Sequence, residues 1–299
     1  MKFRNSFHPY AIVTILCWSL AYVLTRLSLQ YFSTFALGFL RYFVASITMI
    51  IFAVIMKMKP PKRKDLPEFL LSGILGFAFY MIAYNNGQKA VSAATGSVVI
   101  ATVPVITALL ARFIYKEKLK SFQWAAIVIG FSGVAVLTLM DGAFSINTGL
   151  FWLIAAAVSV SLYNLLQRKL TKTYSALQTS AFSIFFGTLL LAVFLPVSVQ
   201  EVSQVPAIAL IYIVVLGVFS SAIAYASWAK AFSKAATTSQ VSNYMFFTPF
   251  LTSVLGFVLA HEIPDIATIT GGSIILFGVL IFNFGDKFLS NFRRIQEHE

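Results

Sequence analysis

One arginine, Arg41, stands about eight residues into the second of a series of long apolar stretches, deeper than any other basic residue. At 1.5 Å of rise per residue it lies roughly 12 Å along a helix. A guanidinium at that depth can be the counter-charge for a substrate carboxylate. It can equally cap carbonyls freed by a helix break, or snorkel its head outward. Polar and aromatic side chains gather in a few of the other stretches. The candidates for a shared cavity are Trp18 and Tyr22; Tyr80, Tyr84 and Asn85; Tyr163 and Asn164; Tyr225 and Trp228; and Asn243 and Tyr244. Tyr80 and Tyr84 are one turn apart on one helix face. Polar groups facing lipid are costly, so these side chains are expected to face inward, where aromatic walls with a few amides suit an amphipathic or zwitterionic solute. Individually, each has a plainer reading, because Tyr and Trp near the ends of apolar stretches commonly form interface belts.

Absences narrow the chemistry. Every Asp and Glu falls in a loop, a tail or the end of an apolar stretch. The run Gly130-Phe131-Ser132-Gly133 resembles the Gly-x-Ser-Gly of intramembrane serine proteases. Such a serine needs a base to take its proton, and His8, His261 and His298 all lie at or beyond the stretch ends. No nucleophile–base pair, metal set or cofactor motif is present, so an enzyme is not expected. Gly130 and Gly133, with Gly271, Gly272 and Gly278, read instead as small-residue faces for close helix packing. Pro104 and Pro249 each remove one helical hydrogen bond, leaving the carbonyl of Ile100 or Met245 to find another partner. They are either simple kinks or the hinges of a rocking motion.

The elements that must hold these residues are helices in a membrane. Hydrophobic residues make up 59% of the 299 and charged residues 11%, against roughly 25% charged in a soluble domain. Mean hydropathy is +0.85. Ten apolar spans can be placed at 9–29, 33–56, 67–86, 91–114, 121–140, 148–167, 176–196, 206–229, 235–259 and 266–285, each matched to a hydrocarbon core about 30 Å thick. The first reads as an uncleaved span, being too long for a signal-peptide core. The lone Cys17 excludes an internal disulfide. The net charge of +12 is dispersed in short clusters between spans, which are topology signals and do not form a nucleic-acid face. With the N-terminus inside, 19 of the 22 Lys and Arg fall on the cytoplasmic side, and Arg26, Arg41 and Lys89 are the exceptions. Both termini are therefore expected in the cytoplasm of a multi-pass protein of the cell (inner) membrane.

Residues 84–137 align without a gap on 229–282 at an offset of 145, with ten of 54 positions identical, among them Pro104/Pro249, Glu117/Glu262 and Gly133/Gly278. Composition alone gives on the order of four. A five-span unit written twice must be inverted in its second copy, and charge counting agrees by placing Glu117 inside and Glu262 outside. The expected fold is an all-α membrane protein of ten transmembrane helices in two inverted five-helix repeats, 1–145 and 146–299, divided at the polar stretch 141–147.

The Pro-x12-Glu spacings (Pro104 to Glu117, Pro249 to Glu262), the Gly-rich fifth and tenth spans and the Leu40-Arg41 pair together resemble the drug/metabolite transporter superfamily, specifically the ten-span EamA-type exporters. The resemblance covers nearly the whole chain. It implies a pseudosymmetric bundle around a central cavity, alternating access, and the fifth and tenth helices packed together at the back. The family carries Arg at this place whatever its cargo, which favours a structural role for Arg41. Small multidrug-resistance relatives carry a mid-membrane Glu in the first span; here Leu16-Cys17-Trp18-Ser19 stands there, against proton-coupled cation transport. The sugar-phosphate branch requires paired cations in the cavity, and Arg41 is single. The expected function is export of small metabolites, amino acids foremost, the alternative being a multidrug exporter of lipophilic cations. The expected partners are the small-molecule substrate and membrane lipid, with no nucleic acid and no cofactor; monomer and homodimer are both open.

Overall fold

A computed structural model describes residues 6–140, 148–234, 241 and 243–296, and among these the chain is helical throughout with no strand. That is the expected outcome where no water is at hand to satisfy backbone groups. The helical segments are α1 (His8–Ser28), α2 (Thr34–Ile55), α3 (Arg63–Ala90), α4 (Ala93–Ile114), α5 (Ser121–Met140), α6 (Thr148–Leu170), α7 (Ala176–Val202), α8 (Ala207–Ala231), α9 (Phe247–Ala260) and α10 (Ile266–Gln296). Among the described residues eight are long and apolar enough to cross a membrane; the exceptions are α5, counted as Ser121–Leu137, and α9, both shorter apolar helices. The chain divide expected at 141–147 lies outside the described residues, as does the start of the expected ninth span at 235–240.

Local chemistry sets the helix starts. Ser33, Ser92 and Ser175 precede α2, α4 and α7 in extended conformation, and their hydroxyls accept from the amides of Ala36, Thr95 and Gln178. Such caps satisfy donors that the first turn leaves free. Neither proline interrupts a continuous helix, contrary to the mid-helix kink expected from sequence. In α4 the helix stops at Ile100, turns through Ala101 and Thr102, and resumes at Val103, so Pro104 lies in a first turn. Pro249 likewise sits in the first turn of α9, behind a 3-10 turn at Asn243–Phe246. In a first turn the missing N–H has no helical acceptor to lose, so proline is well tolerated there.

The helices pair in a pattern that maps onto itself when each is exchanged for the one five places away. α3 packs on α6 as α8 does on α1, α2 on α8 as α7 on α3, and α1 on α9 as α6 on α4, while α2 meets α7, α4 meets α9 and α5 meets α10. The α5–α10 contact is closed by glycine: a Cβ on Gly133 would stand 2.7 Å from the Gly271 carbonyl, and one on Gly278 2.7 Å from the Gly130 amide. Gly130 itself does not need to be small, because its own Cβ would meet nothing. Gly272 faces away from this seam, toward Val98 of α4.

Two π-helical turns, Ile74–Ala78 in α3 and Leu216–Ile223 in α8, also correspond between the halves. Both helix ends before the paired glutamates are built alike. Lys116 (φ 57°) and His261 (φ 53°) adopt the left-handed conformation, and the next amides, of Glu117 and Glu262, donate back to the carbonyls of Ala111 and Gly256. Each amide reaches back six residues, one further than the six-to-one bond of a Schellman end.

Candidate functional site

Arg41 is buried on α2, at 7% exposure. Its Nε donates to the Ser221 hydroxyl at 3.0 Å, and its guanidinium carbon lies 5.8 Å from the Tyr42 ring centre. The π turn of α8 delivers Ser221, and Gly217 within that turn lets α8 approach α2, since a Cβ there would stand 2.9 Å from the Arg41 carbonyl. Among the described residues no carboxylate pairs with Arg41; the ion pairs lie elsewhere.

An aromatic cluster adjoins this cation through the Tyr42 ring. Tyr84 stacks on Tyr80 at 5.5 Å and meets Tyr22 edge-on at 5.7 Å. Trp18 contacts Tyr225 at 5.8 Å and Trp228 at 5.1 Å. Phe77, in the π turn of α3, joins Tyr163, Tyr225 and Tyr42 at 5.3, 5.9 and 5.2 Å. Gly76 beside it makes room for the Tyr163 ring, which a Cβ would approach to 2.4 Å. Phe77 and Gly76 carried no signal in the sequence, because only the π turn reveals their side.

The amides divide. Asn164 donates to the Thr107 hydroxyl at 3.4 Å, and Gln167 donates to the Tyr163 hydroxyl. Asn85 is fully buried and donates to the Thr34 carbonyl at 2.8 Å, tying α3 to the start of α2. Tyr244 is not brought to Arg41. Its hydroxyl hydrogen-bonds His8 Nδ1 and its ring packs on Phe7, at the N-terminal end of α1. The Asn243 side chain lies outside the described residues.

Beyond the aromatic cluster lie two cavities, each beside an ion pair that sequence reading did not find. One, about 400 Å³, is lined by Arg26, Val91, Thr95, Glu262 and Thr268, among others. Arg26 Nε donates to Glu262 at 3.1 Å, and its Nη1 donates to the Gln88 and Lys89 carbonyls that end α3. The other Glu262 oxygen accepts from the Ala93 amide at 2.9 Å. The cation thus meets a helix C-terminus and the carboxylate a helix N-terminus, as the helix dipoles favour. The second cavity, about 420 Å³, is lined by Tyr115, Glu117, Arg168, Lys169 and Lys172. Here Arg168 donates to Glu117 at 2.6 Å and lies over the Tyr115 ring. Nearby, Tyr174 donates to the Asp65 carboxylate at 2.6 Å, which pushes its phenol above the ordinary tyrosine pKa. The two pairs occupy opposite ends of α4, roughly 30 Å apart by helix rise. Arg26 and Arg168 both lie outside the stretch in which the repeat aligns, and pairing across 236 residues is not visible from spacing.

Residues 6–139 and again 147–284 match the EamA-like transporter family. A protein described as the uncharacterized transporter YdfC of Bacillus subtilis is 32% identical over 88% of this chain and 86% of its own length. A probable terminal-alkyne amino-acid exporter of Streptantibioticus cattleyicolor is 29% identical over 91% of both. The S-adenosylmethionine uptake transporter of Rickettsia prowazekii is 27% identical over 91% of this chain and 93% of its own. One crystal structure shares the fold with a TM-score of 0.62 at 20% identity, covering 94% of this chain and 97% of its own. With the paired helices and the double match together, the chain is a membrane protein of the EamA-like transporter family, within the drug/metabolite transporter superfamily.

Proposed function

We propose that this protein exports small amino acids or close derivatives by alternating access of two inverted five-span repeats, with Arg41 holding the substrate carboxylate. The observation that carries the proposal is a buried guanidinium, bonded to Ser221 through Nε alone, without a carboxylate partner among the described residues. An unpaired charge inside a membrane protein is costly, and a carboxylate would satisfy it through two parallel hydrogen bonds. The rings of Tyr22, Tyr84, Trp18 and Tyr225 would take the apolar and cationic parts of the same solute.

The names of two relatives support the class. A terminal-alkyne amino acid and S-adenosylmethionine both carry an α-amino carboxylate, although one relative exports and the other takes up. Ten spans, the halves 1–145 and 146–299, and both termini in the cytoplasm of the cell membrane complete the reading. Its supports are the charge count, 19 of 22 basic residues on one side, and the positions of the Glu117 and Glu262 pairs at opposite ends of α4. Pro104 and Pro249, each at a helix restart, are the hinges in this reading.

The test is flux in proteoliposomes across a panel of amino acids, their esters and lipophilic cationic dyes. Transport of free amino acids but not their esters supports the proposal. Transport of the cationic dyes alone supports the alternative, a multidrug exporter of lipophilic cations. Thermal stabilisation by panel members would give an independent measure of binding.

A further inference from the structure

Arg26–Glu262 and Arg168–Glu117 are one interaction made twice. In each, an arginine near the end of the first helix of one half meets a glutamate just past the fourth helix of the other half. Both glutamates are presented by the same helix ending, with a left-handed residue before them and an amide closing six residues back. Each pair stands beside a cavity of about 400 Å³, at opposite ends of α4. We propose that the two pairs are the locks of the two mouths, each formed when its mouth is shut and broken when it opens. This rests on the alternating-access reading above, with the Arg26 mouth facing outward.

The two ends are not equally closed. At the Arg26 mouth the partners are 33% and 22% exposed, against 58% and 43% at the Arg168 mouth. Buried side-chain oxygens without a hydrogen-bond partner among the described residues lie on Ser28 of α1, Asn85 and Gln88 of α3, and Thr248 and Thr252 of α9, with Thr25, one turn before Ser28, buried against Tyr84. Buried polar groups are normally paired. A seam of unpaired oxygens between the three helices joined by the lock is explained if water reaches them when that mouth opens. On the inner side Asn164 pairs with Thr107 and Gln167 with Ser180. The present conformation is therefore shut at both mouths and shut more deeply on the outside.

The experiment reads the outer seam. Thr25→Cys, in a Cys17→Ser background, is labelled in intact cells with a membrane-impermeant maleimide. Glu262→Gln and Arg26→Gln should each raise labelling about fivefold, the shift that loss of one partly buried pair gives a two-state equilibrium. Arg26→Gln leaves the Glu262 cap on Ala93 intact, so agreement between the two separates the lock from the cap. Glu117→Gln and Arg168→Gln should lower labelling about twofold, because their pair is more exposed. Should Thr25→Cys fold poorly, Thr95→Cys, in the lining of the cavity beside the Arg26–Glu262 pair, reads the same mouth. Labelling unmoved in all four variants, or moved in one direction by both pairs, overturns the locks. Labelling that shifts as described in a protein with no flux upholds the locks while the amino-acid reading fails; flux with unmoved labelling does the reverse.

Discussion

At the residue scale, substrate binding turns on Arg41. Its Nε bond to Ser221 fixes the guanidinium plane and leaves the paired Nη groups free to grip a carboxylate. Arg41→Gln can keep a bond to Ser221 but loses the charge. The KM for an amino acid should rise about 10- to 100-fold, as loss of a charged hydrogen bond implies. The melting temperature of the cargo-free protein should hold or rise, because a buried unpaired charge has been removed. A fall of both flux and melting temperature would mark Arg41 as structural. Ser221→Ala should raise KM about fivefold by freeing the guanidinium plane. Much of this setting was legible in the sequence, since polar side chains in apolar spans have to turn inward; Tyr22, Tyr84, Tyr163 and Tyr225 do. Tyr244 does not join them, because it precedes the α9 helix and sits at the bundle end beside His8. Asn85 turns its amide to a backbone carbonyl, a satisfaction that no residue count reveals.

At the scale of the elements, glycines and helix ends decide how closely the halves meet. Gly133→Val and Gly278→Val each push a side chain into backbone on the facing helix. Each should destabilise by about 1–3 kcal/mol, read as a lower melting temperature in detergent. Gly130→Ala should be nearly silent by comparison, since open space receives its Cβ. His261→Gly should stabilise by about 1 kcal/mol, because a left-handed residue without a Cβ carries no steric penalty. A loss of stability there would mean that the imidazole makes a contact more valuable than the strain. The glycine faces could be read from sequence as periodic small residues, whereas the π turns at Ile74–Ala78 and Leu216–Ile223 could not. A one-residue slip in a helix leaves hydropathy unchanged and still redirects Phe77 and Ser221 into the site.

At the scale of the whole molecule, two half-chains share one contact plan, and the pairs that link them repeat at both ends of α4. The duplication was visible as an offset of 145. The pairing of Arg26 with Glu262 was not, because contacts between halves follow from packing rather than from sequence order. Carboxylate recognition by Arg41 is measured by uptake of radiolabelled free amino acids, against the matching methyl esters, into proteoliposomes holding either the wild-type protein or Arg41→Gln. The predicted result is flux of at least one free amino acid by the wild type, little of its ester, and a loss of about tenfold or more in the variant at subsaturating substrate. Equal flux of acid and ester, undiminished by Arg41→Gln, would contradict it.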